Sequence, residues 1–209
     1  MTTPNSTPAA PGFRRALVDY IRAQANPPDK FSHQARLYRL AAQIGASLPH
    51  DDDVLFAAAW LHDLGVFVGH RPEDLAALAK WDHVVYVLDR APGLLAELGF
   101  PSEKTPGVLE AIRTHQPADD PHTVEGVILR DADILEQMGA AGILRTVSKV
   151  GRDTRFRTFA DALRVLERNL DTLPGKLRLA PSRALAEPHK AVLRAFLEQA
   201  RAEAGAIVW

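Results

Sequence analysis

Apolar residues return at helical intervals through most of this chain. Phe13, Leu17, Val18 and Ile21 form the first stripe. Asn26-Pro27-Pro28 ends it, because proline has no amide hydrogen for a helix and its ring crowds the preceding turn. His33, Leu37, Leu40, Ala41 and Ile44 then fall at i, i+4, i+7, i+8 and i+11, a second stripe with a histidine on its apolar side. Gly45 to Pro49 closes it. Asp51-Asp52-Asp53 supplies an N-cap and acids for the positive end of the next helix. That helix holds Leu55-Phe56-Ala57-Ala58-Ala59-Trp60-Leu61 and ends on His62-Asp63, with Gly65 suited to a C′ stop.

The remaining pattern is read the same way. Pro72 fits the first turn of a helix reaching about Lys80, and Trp81 to Leu88 continues as helix and carries His83. Gly93, Gly99 and Pro101 bracket a short leucine-rich helix. Thr105-Pro106 opens another, whose stripe Val108, Ala111, Ile112 and His115 places one more histidine on an apolar face; Pro117 ends it. Thr123 caps a helix through Val127, Ile128, Leu135 and Met138 that contains Asp131-Ala132-Asp133. On a helical wheel Asp131 falls amid the apolar stripe and Asp133 nearly opposite. Gly139 to Gly142 allows tight packing or a break. Thr158 to Leu170 is a charged amphipathic helix, and a last one runs from Ser182 to Ala204, with Pro188 expected to kink or divide it. No alternating strand pattern competes. The expectation is an all-α, single-domain helical bundle of about eight helices over 13–209, behind a Thr/Pro/Ala-rich tail over 1–12.

Composition narrows the function classes. The chain has 209 residues, 46% of them hydrophobic, enough for a sizeable core. A formal charge of −1, from 25 basic and 26 acidic residues, argues against a protein that coats nucleic acid or an anionic membrane. No run of about 18 apolar residues suggests a membrane span, and residues 1–12 lack the basic and apolar regions of a signal peptide. The expected location is the cytoplasm. There is no cysteine, so thiolate nucleophiles and Cys-ligated metals are excluded.

The remaining chemistry gathers on histidine and aspartate. A lone histidine on an apolar face is ordinarily a core residue, and an acidic pair is ordinarily a solvated face. His62-Asp63 at the end of an apolar run is harder to account for, because burying either group without a partner is costly. A divalent ion accepts both as ligands, and His33 with a later acid supplies the open-sided set such an ion needs.

At His33 in Ser-His-Gln-Ala-Arg, at Trp60-Leu61-His62-Asp63-Leu64-Gly65 and at Arg130-Asp131-Ala132-Asp133-Ile134-Leu135, the chain resembles the HD-domain superfamily of metal-dependent phosphohydrolases. It is closest to small stand-alone bacterial members, which share a segment like Gly139-Ala140-Ala141-Gly142-Ile143 and a C-terminal stretch like Ala184-Leu185-Ala186-Glu187. The resemblance implies an HD-type bundle with His33, His62, Asp63 and Asp133 as metal ligands, Asp131 being held in reserve. It also implies one or two divalent ions (Mn²⁺, Mg²⁺, Fe²⁺, Co²⁺, Ni²⁺ or Zn²⁺). His83 and His115 would be second-metal ligands or proton donors, and Arg36 and Arg145 phosphate-holding groups. The substrate implied is a small phosphorylated metabolite, first of all a nucleotide, with no membrane or nucleic-acid polymer as partner and a homodimer left open. Two alternatives stand beside it: a di-iron oxygenase of HD type, and a non-catalytic nucleotide- or metal-binding module.

Overall fold

A computed structural model of the chain describes residues 12–153 and 155–205; the tail, apart from Gly12, lies outside them. The described residues form ten α-helices and no strand: α1 Phe13–Gln24, α2 Asp29–Gly45, α3 Asp52–Leu61, α4 Leu75–Ala79, α5 His83–Glu97, α6 Thr105–Arg113, α7 Val124–Glu136, α8 Gly139–Val147, α9 Phe159–Thr172 and α10 Ala180–Ala204. The fold is all-α, as the periodicity leads one to expect. The chain divides after Arg130, within α7, into two compact units.

In the first unit α3 is the central helix, packed against α1, α2 and α6, while α5 packs on α6. Every residue from Val54 to Leu61 is buried, as suits a helix that is apolar all round. Ala57, Ala58 and Ala59 keep its surface low enough for neighbours to approach. Its start is held by charge. The Asp51 carboxylate accepts from the Asp53 and Val54 amides at 3.0 and 3.3 Å, closing two otherwise orphan donors. Arg14 of α1 donates to Asp52 and Asp53 at 2.8 and 2.7 Å, and Lys104 pairs with Asp51 and Asp53 at 2.9 and 3.2 Å. Asp51-Asp52-Asp53 thus caps α3 and also anchors it to α1 and to the turn before α6.

In the second unit α8, α9 and α10 pack pairwise. A Cβ on Gly142 would lie 2.4 Å from the Gln137 carbonyl carbon, so only glycine lets α8 close against the preceding turn. α9 opens with a capping box between Thr158 and Asp161.

Four local readings change. The helix expected from Pro72 is only α4, Leu75–Ala79, with Asp74 as its cap; the chain breaks at Lys80 and restarts at Asp82, whose carboxylate accepts from Val84 and Val85. The separate leucine-rich helix is the second half of α5, which runs through Pro92, because Ala91, Leu94 and Leu95 are buried on the same side as Val84 and Val87. Likewise α10 is not divided at Pro188. Gly65 does not adopt the left-handed stop conformation; its role is the close approach described next.

Candidate metal centre

α3 ends where the chemistry begins. His62 caps the helix, and its ring lies 1% exposed against the core. Its Nδ1 is 3.0 Å from the Ala59 carbonyl. A carbonyl only accepts, so that nitrogen carries the hydrogen and Nε2 keeps its lone pair. His115, just beyond α6, repeats the device: Nδ1 donates to the Ile112 carbonyl at 2.6 Å. In both rings the backbone fixes the tautomer that a metal ligand requires.

Asp63 lies among four imidazoles. His33 Nε2 and His62 Nε2 stand 3.6 and 3.8 Å from its Oδ2, and His83 Nε2 stands 3.7 Å from its Oδ1. Ligand atoms of His62, Asp63 and His115 all lie within 4.8 Å of one another. The rings form a chain with centroids 5.3 Å apart for His33–His62, 5.0 Å for His62–His115 and 6.0 Å for His115–His83. The Asp63–imidazole distances exceed the hydrogen-bond range of about 2.7–3.2 Å. Two donors each about 2.0–2.2 Å from a shared ion sit roughly 3–3.5 Å apart. The donors, their tautomers and their spacing therefore fit divalent ions, which HD domains bind. Burial pushes the Asp63 carboxyl up, but His62, His33, Lys30 and His83 outweigh it and hold the group well below the ordinary carboxylate range.

The second half of this arrangement is set by a 3₁₀ turn and glycine. A short 3₁₀ turn, Leu64–Val66, follows the doublet and meets the start of α5. A Cβ on Gly65 would lie 2.7 Å from the His83 carbonyl oxygen, so the missing side chain is what lets His83 come opposite Asp63. Trp81 Nε1 donates to the Gly65 carbonyl at 2.8 Å and holds the contact. His70 braces the loop beyond, bonded to Tyr86 and Gln24 at 2.8 Å each.

The remaining sequence candidates are placed as follows. Asp131 is fully buried and accepts the backbone amides of Arg178 and Leu179 at 3.1 and 2.9 Å. Asp133 is half-buried on the same helix, with Gln137 Nε2 3.0 Å from its carboxylate. Arg36, on α2 one turn after Ser32, donates to that hydroxyl at 3.0 Å. Arg145 pairs with buried Glu136 at 3.4 Å. Two groups near the site are not among the sequence candidates: Gly65, read only as a helix stop because its role needs the α5 contact, and Lys30, whose spacing of three residues before His33 was a usable signal.

An all-helical chain with these donors at the end of its central helix has the plan of the HD hydrolases. Residues 31–138 match the HD domain, and the chain belongs to that family. A protein of an uncultured Thermotogales bacterium, described as a predicted HD superfamily hydrolase, is 26% identical over 91% of this chain and 92% of its own, with a TM-score of 0.64. YpgQ of Bacillus subtilis shares the fold at 21% identity, with a TM-score of 0.74 over 94% and 97% of the two chains. The structure of YpgQ in complex with ADP matches at 20% identity and a TM-score of 0.68, over 93% and 100% of the two chains. No helix among the described residues is long and apolar enough to cross a membrane.

Proposed function

We propose that this protein is a metal-dependent phosphohydrolase acting on a small phosphate ester, with nucleotides as the first substrate class. The observation that carries the proposal is the position of Asp63, one oxygen facing His33 and His62 and the other facing His83. His33, His62 and Asp63 would hold one divalent ion, with Asp133 added on the motif. His83, His115 and the second oxygen of Asp63 would hold another. When bound, such an ion polarises a phosphoryl oxygen and lowers the pKa of water from 15.7 toward about 7. Asp131 is left out of the ligand set because its oxygens are engaged by backbone amides.

The chain's own groups then divide the work. Asp63 stays ionised and accepts a hydrogen bond from the attacking water, orienting it. If the site holds only the first ion, His83, 25% exposed while His115 is 3% exposed, is the imidazole that can reach a leaving oxygen and protonate it; with a second ion bound, His83 is its ligand instead and the proton comes from solvent. Lys30 and Arg36 lie one turn either side of His33 on α2 and would hold the phosphate as point charge and planar fork. The ADP complex of YpgQ makes nucleoside phosphates the first compounds to test.

The test is elemental analysis of the purified protein, then a phosphate-release screen over nucleotides and sugar phosphates with Mn²⁺, Mg²⁺, Co²⁺ and Ni²⁺. Release by the wild type, lost in His62→Ala with helical circular dichroism retained, is the expected result. Iron-dependent oxygen consumption without phosphate release would replace it with the oxygenase reading. Full activity in His62→Ala would end it.

A further inference from the structure

The donors around Asp63 are not held alike. His33 sits within α2, and His62 and Asp63 continue directly from the buried α3. His115 follows closely on α6, with its ring tied to the Ile112 carbonyl. His83 is different. It opens α5 after a break over residues 80–82, and α4, the helix before that break, has no buried residue to anchor it. Asp82 accepts from the Val84 and Val85 amides, which gives the first turn of α5 its shape but not its place. Val84 and Val87 are buried and seat the helix, yet apolar packing is non-directional and does not aim the side chain at its start.

One directional bond reaches this turn from outside. Trp81 Nε1 donates to the Gly65 carbonyl at 2.8 Å. Gly65 stands two residues after Asp63, and Trp81 two residues before His83. The bond therefore ties the two ligand-bearing segments together beside their ligands. The indole is itself backed. Its ring centre lies 5.3 Å from that of Tyr86, whose hydroxyl is 2.8 Å from His70 Nδ1. His70 Nε2 is in turn 2.8 Å from Gln24 Oε1 at the end of α1. An amide oxygen only accepts, so Nε2 carries the hydrogen and Nδ1 receives that of the tyrosine. Burial and Arg90 push the His70 imidazole down, which keeps it in this neutral form. A run of side chains from α1 thus ends on the indole, and none of them is a candidate ligand.

We propose that Trp81 is a positioning residue that sets how many ions the centre holds. Its N–H keeps His83 at the second oxygen of Asp63; without that bond the ion of His33, His62 and Asp63 stays, and the ion of His83, His115 and Asp63 is lost. The proposal rests on the two-ion form of the reading above and gives the second ion a control of its own. Hydrogen bonds outside a ligand set ordinarily change metal affinity about 10–100-fold.

The experiment is Mn²⁺ titration of the metal-stripped full chain, followed by chelator competition and electron paramagnetic resonance. Two variants are compared with the wild type. Trp81→Phe keeps an aromatic ring and removes the N–H. Replacement of the Trp81 indole N–H by sulfur, as the benzothienyl isostere, removes the same donor and keeps the whole bicyclic shape, so lost packing and a lost bond are told apart. The wild type is expected to take up two equivalents and to show the spectrum of a coupled pair. Both variants are expected to bind the first equivalent at wild-type affinity and the second about tenfold or more weakly. At one equivalent bound they show isolated Mn²⁺, with helical circular dichroism retained. Wild-type affinity for the second ion in the sulfur isostere, or equal weakening of both ions, would overturn the proposal and leave the two-ion centre standing. Fewer than two equivalents in the wild type would overturn that reading and the proposal with it.

Discussion

Two aspartates, half-buried Asp63 just past the end of α3 and fully buried Asp131 in the middle of α7, meet their surroundings in opposite ways. Asp131 is closed by backbone: amides of Arg178 and Leu179 lie 2.9–3.1 Å from its oxygens. Asp63 is ringed by imidazoles that stop at 3.6–3.8 Å. The first set of distances is that of finished hydrogen bonds, and the second lies beyond that range, near the spacing of donors that share an ion. The deeper burial belongs to Asp131, so burial does not mark the chemical group. The stand-off distance and the type of partner do: fixed amides make a clasp, and imidazoles held off at 3.6–3.8 Å make a candidate ligand set.

Breaking Asp63 should have the largest effect. Asp63→Ala is expected to lower metal content and phosphate release about a hundredfold or more, with the denaturation midpoint nearly unchanged. A variant that melted early but kept its metal would reverse the contrast. Asp131→Ala should do the opposite, costing about 2–3 kcal/mol in urea unfolding because two buried amides lose their acceptor, with metal stoichiometry intact. Within the same segment, Asp133→Asn should weaken metal binding more than Asp131→Asn, measured by competition with a chromophoric chelator; the reverse order would move the ligand to Asp131.

Smaller effects sharpen the geometry. Gly65→Ala forces a methyl against the His83 carbonyl, and the expected outcome is about a tenfold loss of metal affinity together with about 1–3 kcal/mol of stability; an unchanged affinity would show that His83 stands outside the site. The smallest effect is electrostatic. Burial pushes the Asp53 carboxyl up, but Arg14 and Lys104 outweigh it and hold it below its ordinary value. A depressed carboxyl contributes stability above its unfolded pKa of about 3.9, and loses that contribution as pH falls through the folded value. Unfolding midpoints measured between pH 6 and pH 3 should therefore converge for wild type and Asp53→Asn at the acid end.

Local regularity made much of this legible. The His33 stripe, the capped apolar α3 and the His115 stripe each follow from one helix burying one face, and the order of His33, His62-Asp63 and Asp133 carries the family. The wheel that set Asp131 among apolar residues correctly described its burial. Its partners could not be read, because they are backbone amides 47 and 48 residues away, and an amide has no sequence signature. The pattern divides α5 into Trp81–Leu88 and a leucine-rich helix bracketed by Gly93 and Gly99; apolar burial on both sides of Pro92 and Gly93 outweighs their local cost and keeps the helix whole. The sharing of Asp63 between two sets of histidines was equally hidden, since it depends on a methyl group that Gly65 lacks.

The bonds from Trp81 to Gly65 and from His70 to Tyr86 and Gln24 join protein to protein, and none of them needs an ion. The cradle around Asp63 is therefore braced without an ion, and on the proposed reading loading it would be an exchange at a site already built rather than a step in folding. On that reading, which ion entered would follow the supply in the surrounding fluid as much as the taste of the ligands. One gene product would then hold different metals under different growth conditions, with the bonds that brace its cradle the same in each.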